Sequence, residues 1–104
     1  MNETLVQSFL AIATEGGFNK AAEKIYISQP NLSRNIARLE KELGTKLFDR
    51  SRKRAVLTRS GDIYFAAFQK MMCCLEQARE QVKSLENEES RTIRIGYVKD
   101  WNVS

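Results

Sequence analysis

Gln29, Ser33 and Arg34 are side chains whose types suit the reading of nucleic-acid base edges, and they fall within six residues of one another. A guanidinium forks onto guanine O6 and N7 or enters a narrow minor groove, a carboxamide suits adenine, and a hydroxyl suits base or phosphate. At about 100° per residue, Leu32, Ile36, Leu39 and Leu43 form one apolar stripe, while Pro30, Ser33, Arg34, Ala37, Arg38 and Lys41 lie on the far side or its flank. Ala37 is small enough to let such a helix sink deep into a groove. Arg38 and Lys41 lie further along and suit phosphates. A second cluster follows: Arg50, Arg52, Lys53, Arg54 and Arg59 occur within ten residues with no acid among them. Alone, such a run reads as a solvated surface; beside a helix that can read bases it reads as phosphate contact.

The elements that must position these residues can be followed along the chain. A helix is expected over 3–15, where Leu5, Phe9, Ile12 and Ala13 recur at helical spacing, with Thr4 and Gln7 as a capping box and Gly16-Gly17 as its stop. A second helix is expected to start at Asn19 as N-cap, its N-terminal amides and Lys20 placed to hold a backbone phosphate. Ala21 and Ala22 permit close crossing, and Ile25 and Ile27 pack inward around a turn. Ser28 is the expected N-cap of the third helix, with Pro30 in its first turn and Gly44 ending it. Two helices joined by a tight turn, the second with a polar outer face, make a helix-turn-helix, and its natural target is the major groove.

Thr45 to Leu57 reads as two short strands around Ser51-Arg52-Lys53-Arg54, the shape of a β-wing. Thr58 then caps a long helix expected over about 59–88. Within it Tyr64, Phe68, Met71, Leu75, Ala78, Val82 and Leu85 are spaced four, three, four, three, four, three. That is an a/d seam, and a second copy of the same helix is its simplest partner. Ile63, Phe65 and Met72 lie off the seam and are available to pack on the helix's own domain. Residues 92–98 read as a strand with no sheet to join. The expected organisation is a winged helix-turn-helix over 1–58, a dimerisation helix over 59–89, and over 90–104 either the start of a truncated further domain or a disordered tail. The fold class is mainly α.

Composition agrees with a binding module. The chain of 104 residues carries a net charge of +4. Residues 1–62 hold eleven Lys/Arg against seven Asp/Glu, whereas 63–90 hold three against five, so the positive charge belongs to the helix-turn-helix and wing. With no histidine, no glycine-rich phosphate loop and only the adjacent Cys73-Cys74, the chain offers no nucleophile–base pair and no metal ligand set. Neither an enzyme nor a cofactor is expected. No signal peptide or membrane span is legible, so a soluble, cytoplasmic protein is expected.

At the level of whole motifs the chain resembles the N-terminal DNA-binding domain of LysR-type bacterial transcription regulators. The resemblance rests on Phe9, Ala11, Ala13, Gly16, Phe18, Ala21-Ala22, Ser28-Gln29-Pro30, Leu32-Ser33-Arg34, Ile36, Leu39-Glu40, Leu43-Gly44, Leu47-Phe48, Arg50, Leu57-Thr58 and Gly61. It covers residues 1–89, and Ile93-Arg94-Ile95-Gly96 looks like the first strand of the family's effector-binding domain. Gly17-Phe18-Asn19 departs from the family's usual Ser-Phe-Thr, and Asn31 stands where a small apolar residue is common. The resemblance implies a linker helix paired antiparallel in a homodimer that binds a promoter. In longer relatives it implies a tetramer and a periplasmic-binding-like domain that senses a small-molecule effector.

The DNA-contacting set expected from these readings is Asn19, Lys20, Ser28, Gln29, Pro30, Asn31, Ser33, Arg34, Arg38, Lys41, Arg50, Arg52, Lys53 and Arg54. A symmetric dimer would read an inverted repeat in double-stranded DNA. The rival from another class is a winged-helix module that binds protein; it fits the fold but leaves Arg34, Arg38 and the 50–54 cations without a task. A membrane-surface helix fits less well, because the long helix is net acidic.

Overall fold

The computed structural model describes residues 1–51 and 53–91. Its element order is α1 (Glu3–Glu15), α2 (Phe18–Lys24), α3 (Gln29–Leu43), β1 (Phe48–Asp49), β2 (Val56–Leu57) and α4 (Arg59–Arg91). Residues 92–104, where a strand and the start of a further domain are expected, lie outside the described residues, as does Arg52.

Local chemistry sets the helix ends. The side chain of Asn2 accepts the Leu5 N–H at 2.9 Å and Glu3 occupies the first turn. This corrects the expected Thr4–Gln7 box. Asn2 already satisfies the helix start, so Thr4 lies inside the first turn, and Gln7 reaches Glu3 instead. At the other end Gly16 takes a left-handed φ of 79° and returns its N–H to the Ile12 carbonyl. The second correction concerns α2. Its N-cap is Gly17, without a side-chain cap, and Asn19 falls inside the first turn. The cap falls two residues earlier than expected because Phe18 must turn inward, edge-on to Phe48 at 5.8 Å. For α3, Ser28 Oγ accepts the Asn31 N–H at 3.2 Å, Pro30 sits in the first turn, and Gly44 (φ 75°) closes the helix.

Two compact units divide the chain: Met1–Met71, and a second from Met72 onward. The core of the first is built on Phe9, which is fully buried. Its ring meets Phe48, Phe68 and Phe65 edge-on at 5.5, 5.8 and 6.3 Å. Leu5, Val6 and Ile12 of α1, Ala21 and Ala22 of α2, Leu32, Ile36 and Leu39 of α3, and Leu47 complete the core. Buried Ser8 ties α1 to α3: its hydroxyl donates to the Thr4 carbonyl at 2.9 Å and accepts from Asn35 Nδ2 at 3.1 Å.

The first turns of α4 belong to this unit. Phe68 is buried and Tyr64 stacks on it at 5.4 Å, so these two seam positions are engaged within their own domain. Of the off-seam residues, Phe65 packs on Phe9 as expected, whereas Ile63 is 70% exposed. Thr58 caps α4 by accepting the Gly61 N–H at 2.9 Å, and its hydroxyl donates to the Lys46 carbonyl at 2.7 Å. Gly61 is required there: a Cβ would stand 2.2 Å from the Leu47 carbonyl oxygen.

The wing is smaller than the sequence suggests. β1 and β2 are two residues each and pair antiparallel, Phe48 with Leu57 and Asp49 with Val56. Beyond Met71, α4 continues as a helix to Arg91, past the expected end near 88. Its residues 73–87 are all exposed, including Leu75, Ala78, Val82 and Leu85. No helix among the described residues is long and apolar enough to cross a membrane.

Candidate nucleic-acid interface

The α3 core stripe fixes what its other face can do. Leu32, Ile36 and Leu39 are completely buried, so Gln29, Pro30, Asn31, Arg34, Ala37, Arg38 and Lys41 are turned outward and exposed, with Ser33 half-buried beside them. The outward face is organised before any partner arrives. Asn31 Oδ1 accepts from the Arg34 guanidinium one turn along. Gln29 Nε2 donates to Ser33 Oγ at 3.4 Å. Ser28 is committed to capping, so its expected contact role falls to its backbone and to whatever acceptor capacity its hydroxyl retains.

Arg38 sits one turn beyond Arg34, and its Nε donates to Glu42 Oε2 at 3.2 Å. Glu42 also receives the Met1 ammonium at 2.6 Å. That ammonium's hydrogen bond is the main reason the Glu42 carboxyl titrates below the usual carboxylate range; burial opposes it and Arg38 assists. Arg38 is therefore tied to an acid at the surface, a weak association that an incoming phosphate can replace. Lys41 shares a shallow groove of about 340 Å³ with Ala37 and Lys46.

A larger groove, about 460 Å³, joins the other predicted contacts. Gly17, Phe18, Asn19 and Lys20 form one side, Gln29 enters from the start of α3, and Arg50, Lys53 and Arg54 come from the wing. Glu15 and Asp49 also border it. Lys24 pairs with Glu15 at 3.5 Å, and Asp49 Oδ1 accepts the Ser51 N–H and hydroxyl at 3.0 and 2.6 Å. With those acids engaged locally, the groove presents the exposed cations Lys20, Arg50, Lys53 and Arg54, a surface chemically suited to phosphates.

Glu40 and Arg50 show how the wing is held against the helices. Glu40 is only 5% exposed, and its Oε2 accepts the Leu47 and Phe48 N–H groups at 2.7 and 3.3 Å. Its Oε1 faces Lys46 Nζ at 3.9 Å and the Arg50 guanidinium at 4.0 Å. Arg50 in turn lies over the Phe18 ring at 5.0 Å. Arg50 is thus a bracing residue at least as much as a contact residue. Sequence reasoning gave Glu40 no task. The signal was present: a carboxylate directly after Leu39, on the edge of the apolar stripe, must be buried with partners or not buried at all. Lys46 was missed as well, an exposed cation just before the wing.

Comparison with known proteins follows the same outline. The family described as "Bacterial regulatory helix-turn-helix protein, lysR family" matches residues 4–62. A probable RuBisCO transcriptional regulator of Cyanidioschyzon merolae is 38% identical over 88 residues, which are 85% of this chain and 29% of that protein. The HTH-type transcriptional regulator CysL of Bacillus subtilis is 41% identical over 78 residues, 75% of this chain and 26% of its own length. Among solved structures, a BenM DBD/catB site 1 DNA complex is similar with a TM-score of 0.81 and 32% identity, covering 83% of this chain and 97% of that one. The chain thus spans under a third of the length of the curated relatives it matches.

Proposed function

The chain belongs to the lysR family of bacterial regulatory helix-turn-helix proteins, and from that membership we propose a specific division of labour for its residues in transcription regulation. α3 enters the major groove of double-stranded DNA. Arg34 and Gln29 read base edges there, with Ser33, Pro30 and Asn31 beside them. Asn19, Lys20, Arg50, Arg52, Lys53 and Arg54 hold the phosphate backbone on either side, and Arg38 and Lys41 extend that hold along α3. The observation that carries the reading is the outward face of α3: polar and cationic side chains pre-arranged on a helix whose opposite face buries Leu32, Ile36 and Leu39 completely.

Two copies pair through the outer half of α4. Leu75, Ala78, Val82 and Leu85 continue the a/d spacing into solvent, and a second copy covers them. A symmetric pair presents two recognition helices, so the operator is an inverted repeat with centres separated by whole helical turns. The protein acts where DNA is, in the cytoplasm. In a longer protein the segment beyond α4 leads into a domain that senses a small-molecule effector, and assembly proceeds to a tetramer.

Sites selected from random DNA, then re-spaced, test this reading. Inserting about 5 base pairs, half a helical turn, between half-sites should abolish tight binding, while a full turn restores part of it. Equal protection at every spacing in a footprint would contradict a fixed dimer.

A further inference from the structure

The turn between α2 and α3 holds a conformation that its residue pays for without local return. Tyr26 has φ +59°, the left-handed region, and it is the non-glycine residue with positive φ among those described. A β-carbon there crowds the following carbonyl, and a bulky side chain makes the position an outlier. Tight turns of helix-turn-helix units often place glycine at such a point. Here the backbone is fixed from both sides: the Ile25 N–H bonds the Ala21 carbonyl and the Ile27 N–H bonds the Ala22 carbonyl, each at 3.1 Å. Half-buried Ile25 and Ile27 anchor the flanks. The Tyr26 side chain recovers nothing from the fold, being 93% exposed with no hydrogen bond or ring contact among the described residues. Strain that surrounding structure over-determines, on a side chain offered wholly to solvent, points outward for its explanation.

We propose that Tyr26 is a DNA-backbone contact, its phenol hydroxyl donating to a phosphate oxygen at the edge of the groove that α3 enters. Placement favours this. Tyr26 lies two residues before Ser28, the cap of α3, and three before Gln29, where the base-reading face begins. The residues of that first turn meet bases, so the turn leading into it borders the flanking strand. A phenol supplies one neutral donor at the end of a rigid arm, suited to a phosphate and ill suited to discriminate bases. The contact rests on the reading that α3 enters the groove, and it adds a neutral grip to a set that is mostly cationic.

Tyr26→Phe removes only the hydroxyl and leaves the turn intact. Its affinity for DNA should fall by about 10-fold or more, the scale of one hydrogen bond to a charged acceptor. The loss should be equal on operator and unrelated DNA. The slope of log K against log salt should stay unchanged, because a neutral donor releases no counterion. Tyr26→Gly should lose at least as much affinity while melting at a higher temperature than the parent, since glycine accepts this φ without strain. Wild-type affinity in Tyr26→Phe, with the parent chain binding DNA normally, would overturn this contact alone and leave the ring to a protein partner. A parent chain that binds no DNA would overturn the contact and the α3 reading together. A lower melting temperature for Tyr26→Gly would show that the ring serves the fold, and would likewise overturn the proposal.

Discussion

α3 and the outer half of α4 carry similar apolar spacing and put it to opposite use. In α3, Leu32, Ile36 and Leu39 are fully buried, and the helix gives its polar face to solvent. In α4 the same kind of stripe is buried only at Phe68; further along, Leu75 is 37% exposed and Val82 53%. Apolar periodicity fixes a helix and a face, and it does not say whose surface will cover that face. Where α1, α2 and the wing surround α3, the cover lies within the chain. Along Leu75, Val82 and Leu85 no such cover is present among the described residues, and large apolar side chains at regular spacing in water are a mark of an interaction surface.

The largest effect should come from breaking the α3 stripe. Ile36→Ala removes buried volume at the centre of the domain and should cost about 2–5 kcal/mol of stability, read as a lowered urea midpoint. An effect under about 0.5 kcal/mol would mean that α3 does not anchor the core. Next comes the charge on the flank of that stripe. Glu40→Ala leaves the Leu47 and Phe48 N–H groups without their acceptor and should cost about 1–3 kcal/mol. Amide hydrogen exchange should accelerate at those two residues and across the wing first. Exchange that rises evenly throughout the domain would remove Glu40's role as the wing's anchor.

The smallest effect on the fold should come from the α4 stripe. Leu75→Asp with Val82→Asp should leave domain melting within about 0.5 kcal/mol of the parent, as surface substitutions do. The same pair should convert dimers to monomers in sedimentation. Loss of the tethered partner should then weaken binding to a full operator far more than to a half-site. A parent chain that is monomeric at tens of micromolar, roughly the range where such interfaces assemble, would remove the contrast between the two helices.

The legible parts of the molecule are those set by local chemistry. Ser28, Pro30, Gly16, Gly44 and Thr58 mark helix ends because a cap or a left-handed residue is chosen by its immediate neighbours. The core stripe of α3 follows from period alone. Reading failed where a tertiary demand outweighed a local preference. Asn19 is a good cap, but Phe18 is needed inside, and the helix starts on the aromatic. Tyr64 and Phe68 match the seam, yet the ring of Phe9 claims Phe68 first. The place of Glu40 beside Leu39 signalled its burial but not its partners, which are the backbone amides of Leu47 and Phe48. The cationic groove joins residues from α2, α3 and the wing; Asn19, Lys20, Gln29, Arg50, Lys53 and Arg54 were each named from the sequence, but their meeting depends on packing that Phe18 and Phe48 provide.

The central claim is that the outward face of α3 reads DNA, and Arg34 tests it most directly. A fluorescence titration of Arg34→Ala against a selected operator should give a loss of about 1–3 kcal/mol, roughly 5- to 150-fold in Kd, with preference relaxed at one base position of each half-site. Unchanged affinity and unchanged preference in a folded Arg34→Ala chain would contradict the account at its base.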